Sequence, residues 1–145
     1  MKTQKKQKYI FLEHTADSKF KAFGKNIEEV FKNSALALKE IISGDLEIKE
    51  KNKKEIKVSG NNLEELLYGF LEEFIYLLDA EKFLFSNIKK IKIDGKKLEL
   101  EAEIWGDDSS KYEFSNPVKA ITYNDFYIKQ DKKTNNWICQ VVVDV

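Results

Sequence analysis

The sequence predicts an α+β fold: a compact single domain with a mostly antiparallel sheet and two helices packed on it. Three observations lead there. Two stretches carry apolar residues at helical spacing, and each is opened by an asparagine with a glutamate three residues on. Seven other stretches read as strands, several of them alternating apolar and charged residues. The two helical stretches are not regularly interleaved with the strands, which argues against a parallel α/β sheet.

Taken in order, residues 9–13 and 18–23 are strands around a short polar turn. Residues 27–42 form the first helix, with Ile27, Val30, Phe31, Ala35, Leu38, Ile41 and Ile42 on one stripe. Asn26 and Glu29 make its capping box, and Gly44 is its stop. The charged run 49–54 reads as a solvated loop before a short strand at 55–59. Residues 63–79 form the second helix, capped by Asn62 and Glu65. Its apolar face is broad enough to predict burial. Residues 88–93 and 97–105 form a hairpin around Asp94-Gly95. Two further strands occupy 118–129 and 137–143. No internal repeat is visible. Residues 1–8 are expected to be a flexible tail, and 9–145 a single domain.

The chain has 145 residues, 42% of them hydrophobic, enough for one core burying roughly two-thirds of the unfolded surface. Lysines balance acids at 25 each, which does not indicate a strongly basic nucleic-acid binder. Every basic residue is lysine, so the bidentate arginine fork that reads guanine edges is missing. The one cysteine, Cys139, sits in an apolar run and is expected to be buried in a reducing compartment. No apolar run is long enough to span a bilayer, and the polar start does not read as a signal peptide. A cytoplasmic location is expected.

Familiar catalytic patterns do not occur. The six glycines are scattered rather than gathered into a phosphate loop, and no Cys/His cluster has zinc spacing. What stands out is Phe11-Leu12-Glu13-His14-Thr15-Ala16-Asp17, which places the only histidine between two strands, and the acid Asp144 closing the last strand. Asp17 immediately precedes one strand and Asp144 immediately follows another. If those strands are antiparallel neighbours, the two carboxylates meet at one edge of the sheet. Carboxylates held close repel unless a cation or proton intervenes. A divalent metal is the natural resolution, held by Asp17, Asp144 and the main-chain or terminal oxygens of Val145. Oxygen ligands favour Ca²⁺ or Mg²⁺, and coordination by His14 would shift the preference toward Mn²⁺ or Zn²⁺.

The segment from Phe11 to Asp17 also resembles the opening motif of the archease family. So do Leu63-Glu64-Glu65-Leu66-Leu67-Tyr68 with Phe70-Leu71-Glu72-Glu73, then Val118-Lys119-Ala120-Ile121-Thr122-Tyr123, and the closing Val142-Val143-Asp144-Val145. The four matches occur in the family's order and span about residues 9–145. The resemblance implies a non-catalytic accessory protein of the GTP-dependent RNA ligase of tRNA splicing, which joins tRNA halves through a 3′-phosphate or cyclic phosphate. It implies that the protein promotes guanylylation and repeated turnover of the ligase, with tRNA met at most indirectly. It carries the family's metal-binding acids onto Asp17 and Asp144, with Val145, and favours Ca²⁺, with Mg²⁺ or Mn²⁺ as alternatives. His14 and Lys119 are candidates for a partner or phosphate contact. The chain departs from the family pattern at Pro117, where an acid is common, at Tyr112 and Asn124, where histidines are frequent, and in a shortened segment 106–116. Two other readings stand beside the accessory protein. One is a metal-dependent phosphoester hydrolase with His14 as base. The other is a chaperone-like modulator of RNA-modifying enzymes.

Overall fold

In the computed structural model, which describes residues 7–12 and 17–145, both helices begin where the asparagines place them. Helix α1 is Ile27–Ser43 and helix α2 is Leu63–Glu81. Asn26 Oδ1 accepts from the Glu29 N–H, and Asn62 Oδ1 from the Glu65 N–H, each at 2.8 Å. These bonds satisfy amides that the first helical turn would otherwise leave open. Gly44 stops α1, its N–H donating to the Glu40 carbonyl. Helix α2 runs two residues further than the sequence suggests. It ends at Lys82, which takes the left-handed conformation with no glycine to mark it.

Both helix entries use one local pattern that a search for long repeats does not show: Gly24-Lys25-Asn26-Ile27-Glu28-Glu29 and Gly60-Asn61-Asn62-Leu63-Glu64-Glu65. Glycine is required because the incoming strand runs hard against the first helical turn. A Cβ at residue 24 would lie 2.4 Å from the Val30 nitrogen, and one at residue 60 would lie 2.8 Å from the Leu66 nitrogen.

The strands are β1 (Tyr9–Leu12), β2 (Asp17–Gly24), β3 (Asn52–Ser59), β4 (Phe83–Asp94), β5 (Glu99–Asp108), β6 (Ala120–Gln130) and β7 (Trp137–Asp144). They form two antiparallel sheets rather than one, in the orders β1-β2-β7-β6 and β3-β5-β4. The β4–β5 hairpin turns where expected, but over four residues. Asp94 Oδ1 accepts from the N–H groups of Lys96 and Lys97, and Leu98 takes a positive φ. Strand β4 starts five residues earlier than expected. Its buried Phe83-Leu84-Phe85 lacks the alternation that marks a half-buried strand. Strand β3 likewise takes in residues 52–54 from the charged run read as a loop.

The helices tie the sheets together. Helix α1 packs on β2 and β7 of the first sheet and on β4 of the second, while α2 packs on β6 and on β3 and β4. A line of aromatic contacts crosses this junction, from Phe31 to Phe70, Phe74 and Phe85, with ring centroids 5.7, 5.0 and 4.5 Å apart in turn. Phe31 and Phe70 are fully buried. Each such side chain contributes roughly 1.5–3 kcal/mol by leaving water. Cys139 lies in the same core, its sulfur 2.9 Å from Ser34 Oγ. Burial pushes its thiol up to about 11 despite the Ser34 bond, so it stays protonated at neutral pH.

Candidate functional site: a corner where the ends of the chain meet

Strands β2 and β7 are central neighbours in the four-stranded sheet, and their ladder runs without a register shift from Gly24↔Trp137 to Asp17↔Asp144. The alternation of β2 and β7 explains what lies on each face. Phe20 opposes Val141 and Ala22 opposes Cys139, all fully buried on the face that receives α1. Positions 17 and 144 have the opposite parity and share the other face with Lys19 and Lys21. Opposed positions on one face of an antiparallel pair are immediate neighbours, and like charges there destabilise the pair. The expectation that residues 17 and 144 meet at one edge is therefore met at the level of backbone register.

The corner has further parts. Asp144 is exposed, while Val145 is half-buried and packs against the core, which anchors the chain just past β7. The Asp144 carbonyl accepts from the Lys119 N–H at 2.8 Å, and Ala120 stands opposite Asp144 on the other flank of β7. The carbonyl is thus committed to the fold, and the Asp144 carboxylate and the main-chain oxygen of Val145 remain as donors. These are hard oxygen donors of the kind that Ca²⁺ and Mg²⁺ take. The donor set fits a divalent ion if residue 17 supplies its carboxylate. At residue 17 the description is of the backbone, and His14 lies outside the described residues. Among the described residues, no three His, Cys, Asp or Glu side chains are clustered for a metal.

Lys119 is exposed. It borders a cleft of 420 Å³ between α2 and the start of β6, together with Glu72, Glu73 and Tyr76. Burial, then Glu72 and Glu81, raise the Glu73 carboxyl above its ordinary value. Beyond Thr122, strand β6 leaves the ladder until Tyr127. Within this bulge Tyr123 stacks on Tyr68 of α2 at 4.0 Å and 9°, and the Tyr68 hydroxyl donates to the Ile121 carbonyl. Asn124, in the same bulge, is exposed, and its N–H donates to Thr122 Oγ1. This aromatic clasp fixes the strand that Lys119 immediately precedes. Neither the clasp nor the cleft has a local sequence signal, because each is made by residues about fifty positions apart.

Tyr112 has a structural role. Its hydroxyl donates to Asp107 at 2.8 Å and accepts from the Lys49 N–H at 2.9 Å. Asp107 is 1% exposed, and the Tyr112 hydroxyl, with the Asp108 N–H, holds its carboxyl below the usual carboxylate range.

Fold and corner together define a class: small α+β domains in which acids from opposite ends of the chain are opposed at the end of a sheet. The profile of the archease protein family matches residues 9–145. A protein named archease from Sulfurisphaera tokodaii is 39% identical over 141 residues, covering 96% of this chain and 99% of its own. One of the same name from Pyrococcus furiosus is 40% identical over 137 residues, covering 92% and 95%. The solution structure of Methanobacterium thermoautotrophicum protein 1598 superposes with a TM-score of 0.80 at 29% identity, covering 95% of this chain and 99% of that one. The chain belongs to the archease family.

Proposed function

We propose that this protein is a non-catalytic, cytoplasmic accessory protein of the GTP-dependent RNA ligase that joins tRNA halves through a 3′-phosphate or cyclic phosphate. Its task is to promote guanylylation of the ligase and so allow repeated turnover. Family membership supports the accessory role. The single structural observation behind the proposed site is the register Asp17↔Asp144.

In this reading Asp17, Asp144 and the main-chain oxygen of Val145 hold a divalent ion, Ca²⁺ first and Mg²⁺ or Mn²⁺ as alternatives. When bound, the ion offsets the repulsion between the two acids and presents a localised positive charge at the end of the sheet. The chain supplies the positioning. The β2–β7 ladder sets the spacing of the acids, and Val145 and the Lys119–Asp144 bond pin the last strand. Lys119 and His14 are the candidates for touching the partner or a phosphate. No helix of the described residues is long and apolar enough to cross a membrane.

The test is ligation of RNA halves by the cognate ligase under multiple-turnover conditions. Wild-type protein should convert a single round into many. Asp17→Asn and Asp144→Asn should each remove most of that gain while folding normally. Undiminished stimulation by both variants would reject the corner as the working site. A metal-dependent hydrolase would instead cleave phosphoesters with no ligase present.

A further inference from the structure

The β2–β7 ladder has a second end. Gly24↔Trp137 closes it seven residue steps from Asp17↔Asp144, about 23 Å away along the strands. An open pocket of 730 Å³ lies there, between the ends of the two strands, the first turns of α1 and the β6–β7 turn. Its volume falls in the range of small-molecule sites. Trp137, Phe23 and Asn33 line it, and Lys8, Lys25 and Lys32 surround them.

Two features separate this pocket from an ordinary surface dent. The first is the indole. The chain has two tryptophans. Trp105 is fully engaged, its Nε1–H donating to Glu103 and its ring lying under the Lys89 ammonium at 4.4 Å. Trp137 is half-buried and packs against the core, and among the described residues no aromatic ring or cation stacks on it and no acceptor meets its N–H. Buried or interfacial indoles usually place both the ring and the N–H. The second is the charge. The pocket's acids are drawn into local structure: Glu29 accepts from the Lys25 N–H, and Asp131 from the Lys133 N–H. Lys8, Lys25 and Lys32 form no ion pair among the described residues. Asn33, a lining residue, donates its Nδ2–H to the Phe23 carbonyl, and among the described residues no donor meets its Oδ1, which remains an acceptor.

An indole with no ring or cation stacked on it, three lysines outside any ion pair and an amide acceptor are what a base with its phosphate requires. We infer that this pocket binds one nucleotide, the base stacked on Trp137 and the phosphate held among Lys8, Lys25 and Lys32. Stacking accepts any base, and lysine ammonium groups do not read base edges as an arginine fork does. The site is therefore a general nucleotide grip. The nucleotide can be free or can be one residue of a single-stranded RNA. The inference does not depend on the acidic corner.

The experiment is an NMR titration of the full chain with AMP, GMP and a short mixed-sequence single-stranded RNA, followed at the two indole N–H resonances. RNA affinities are measured by fluorescence anisotropy. The Trp137 resonance should move and the Trp105 resonance should stay. Shifts with AMP or GMP identify a free nucleotide as ligand, and shifts with RNA alone identify a strand. Trp137→Leu should weaken binding about tenfold, and Trp137→Phe should retain most of it. Combined Lys8→Ala, Lys25→Ala and Lys32→Ala should weaken binding tenfold or more. Combined Lys57→Ala, Lys90→Ala and Lys92→Ala on the other sheet should leave it unchanged, as should Asp144→Asn. A Trp137 resonance unmoved by all three probes would overturn the inference. So would equal weakening by the two lysine sets, which would mean diffuse charge attraction.

Discussion

Tyr112 shows how far a single residue can carry a fold. The archease pattern that the sequence resembles suggests a chemical role at this position. The hydroxyl instead clamps a buried carboxylate and the amide of a distant loop. Tyr112→Phe keeps the ring and deletes both bonds. It should lower Tm on the order of 5 °C at neutral pH, measured by calorimetry. The pH dependence has a definite sign. The Asp107 carboxyl is held below its unfolded value of about 3.9, so its contribution is complete above that pH and is lost as pH falls through the lower folded value. The gap between wild type and variant should therefore be widest near neutrality and shrink below about pH 4. A constant gap at all pH values would mean that Tyr112 acts through packing alone. The two acids at the corner are legible in the sequence for a different reason. Each interrupts a strand pattern at its end, and one pairing rule suffices to bring them together.

At the scale of elements, the helices are readable because their signals are local: a cap, a capping glutamate and a 3.6-residue period all lie within one window. The capping bonds should show their strength directly. Asn26→Ala and Asn62→Ala should each cost about 1 kcal/mol in denaturant unfolding, and the double variant should cost about the sum. Gly60→Ala should cost more than either, because its Cβ has nowhere to go against the Leu66 backbone. A loss no larger than that of the cap variants would show that strand and helix can separate without strain. The strands are less legible for a physical reason. The β4–β5 turn announces itself through Asp94-Gly95, but Phe83-Leu84-Phe85 is buried on both sides and has no period to read. The division into two sheets is invisible because it depends on which edges find partners, and no local pattern encodes that choice. The bulge in β6 has no local signal for the same reason, since Tyr123 is held there by Tyr68 of α2.

At the scale of the whole molecule, the fold brings residue 17 and residue 144 into one register while dedicating the face behind them to the core. That register sets two acidic positions opposite each other at the end of the ladder, and like charges held close repel unless a cation or proton lies between them. The same ladder ends, far from the acids, in a pocket of opposite character. The two proposed surfaces, at opposite ends of one ladder, suit a protein that works by contact with others. The central claim is that a divalent ion joins the acids, and calorimetric titration of Ca²⁺ into the metal-free protein tests it most directly. Wild type should take up one ion per chain, and Asp17→Asn and Asp144→Asn should each lose that binding while unfolding at an ordinary temperature. Equal uptake by wild type and both variants, or no uptake of Ca²⁺, Mg²⁺ or Mn²⁺ by wild type, would contradict it.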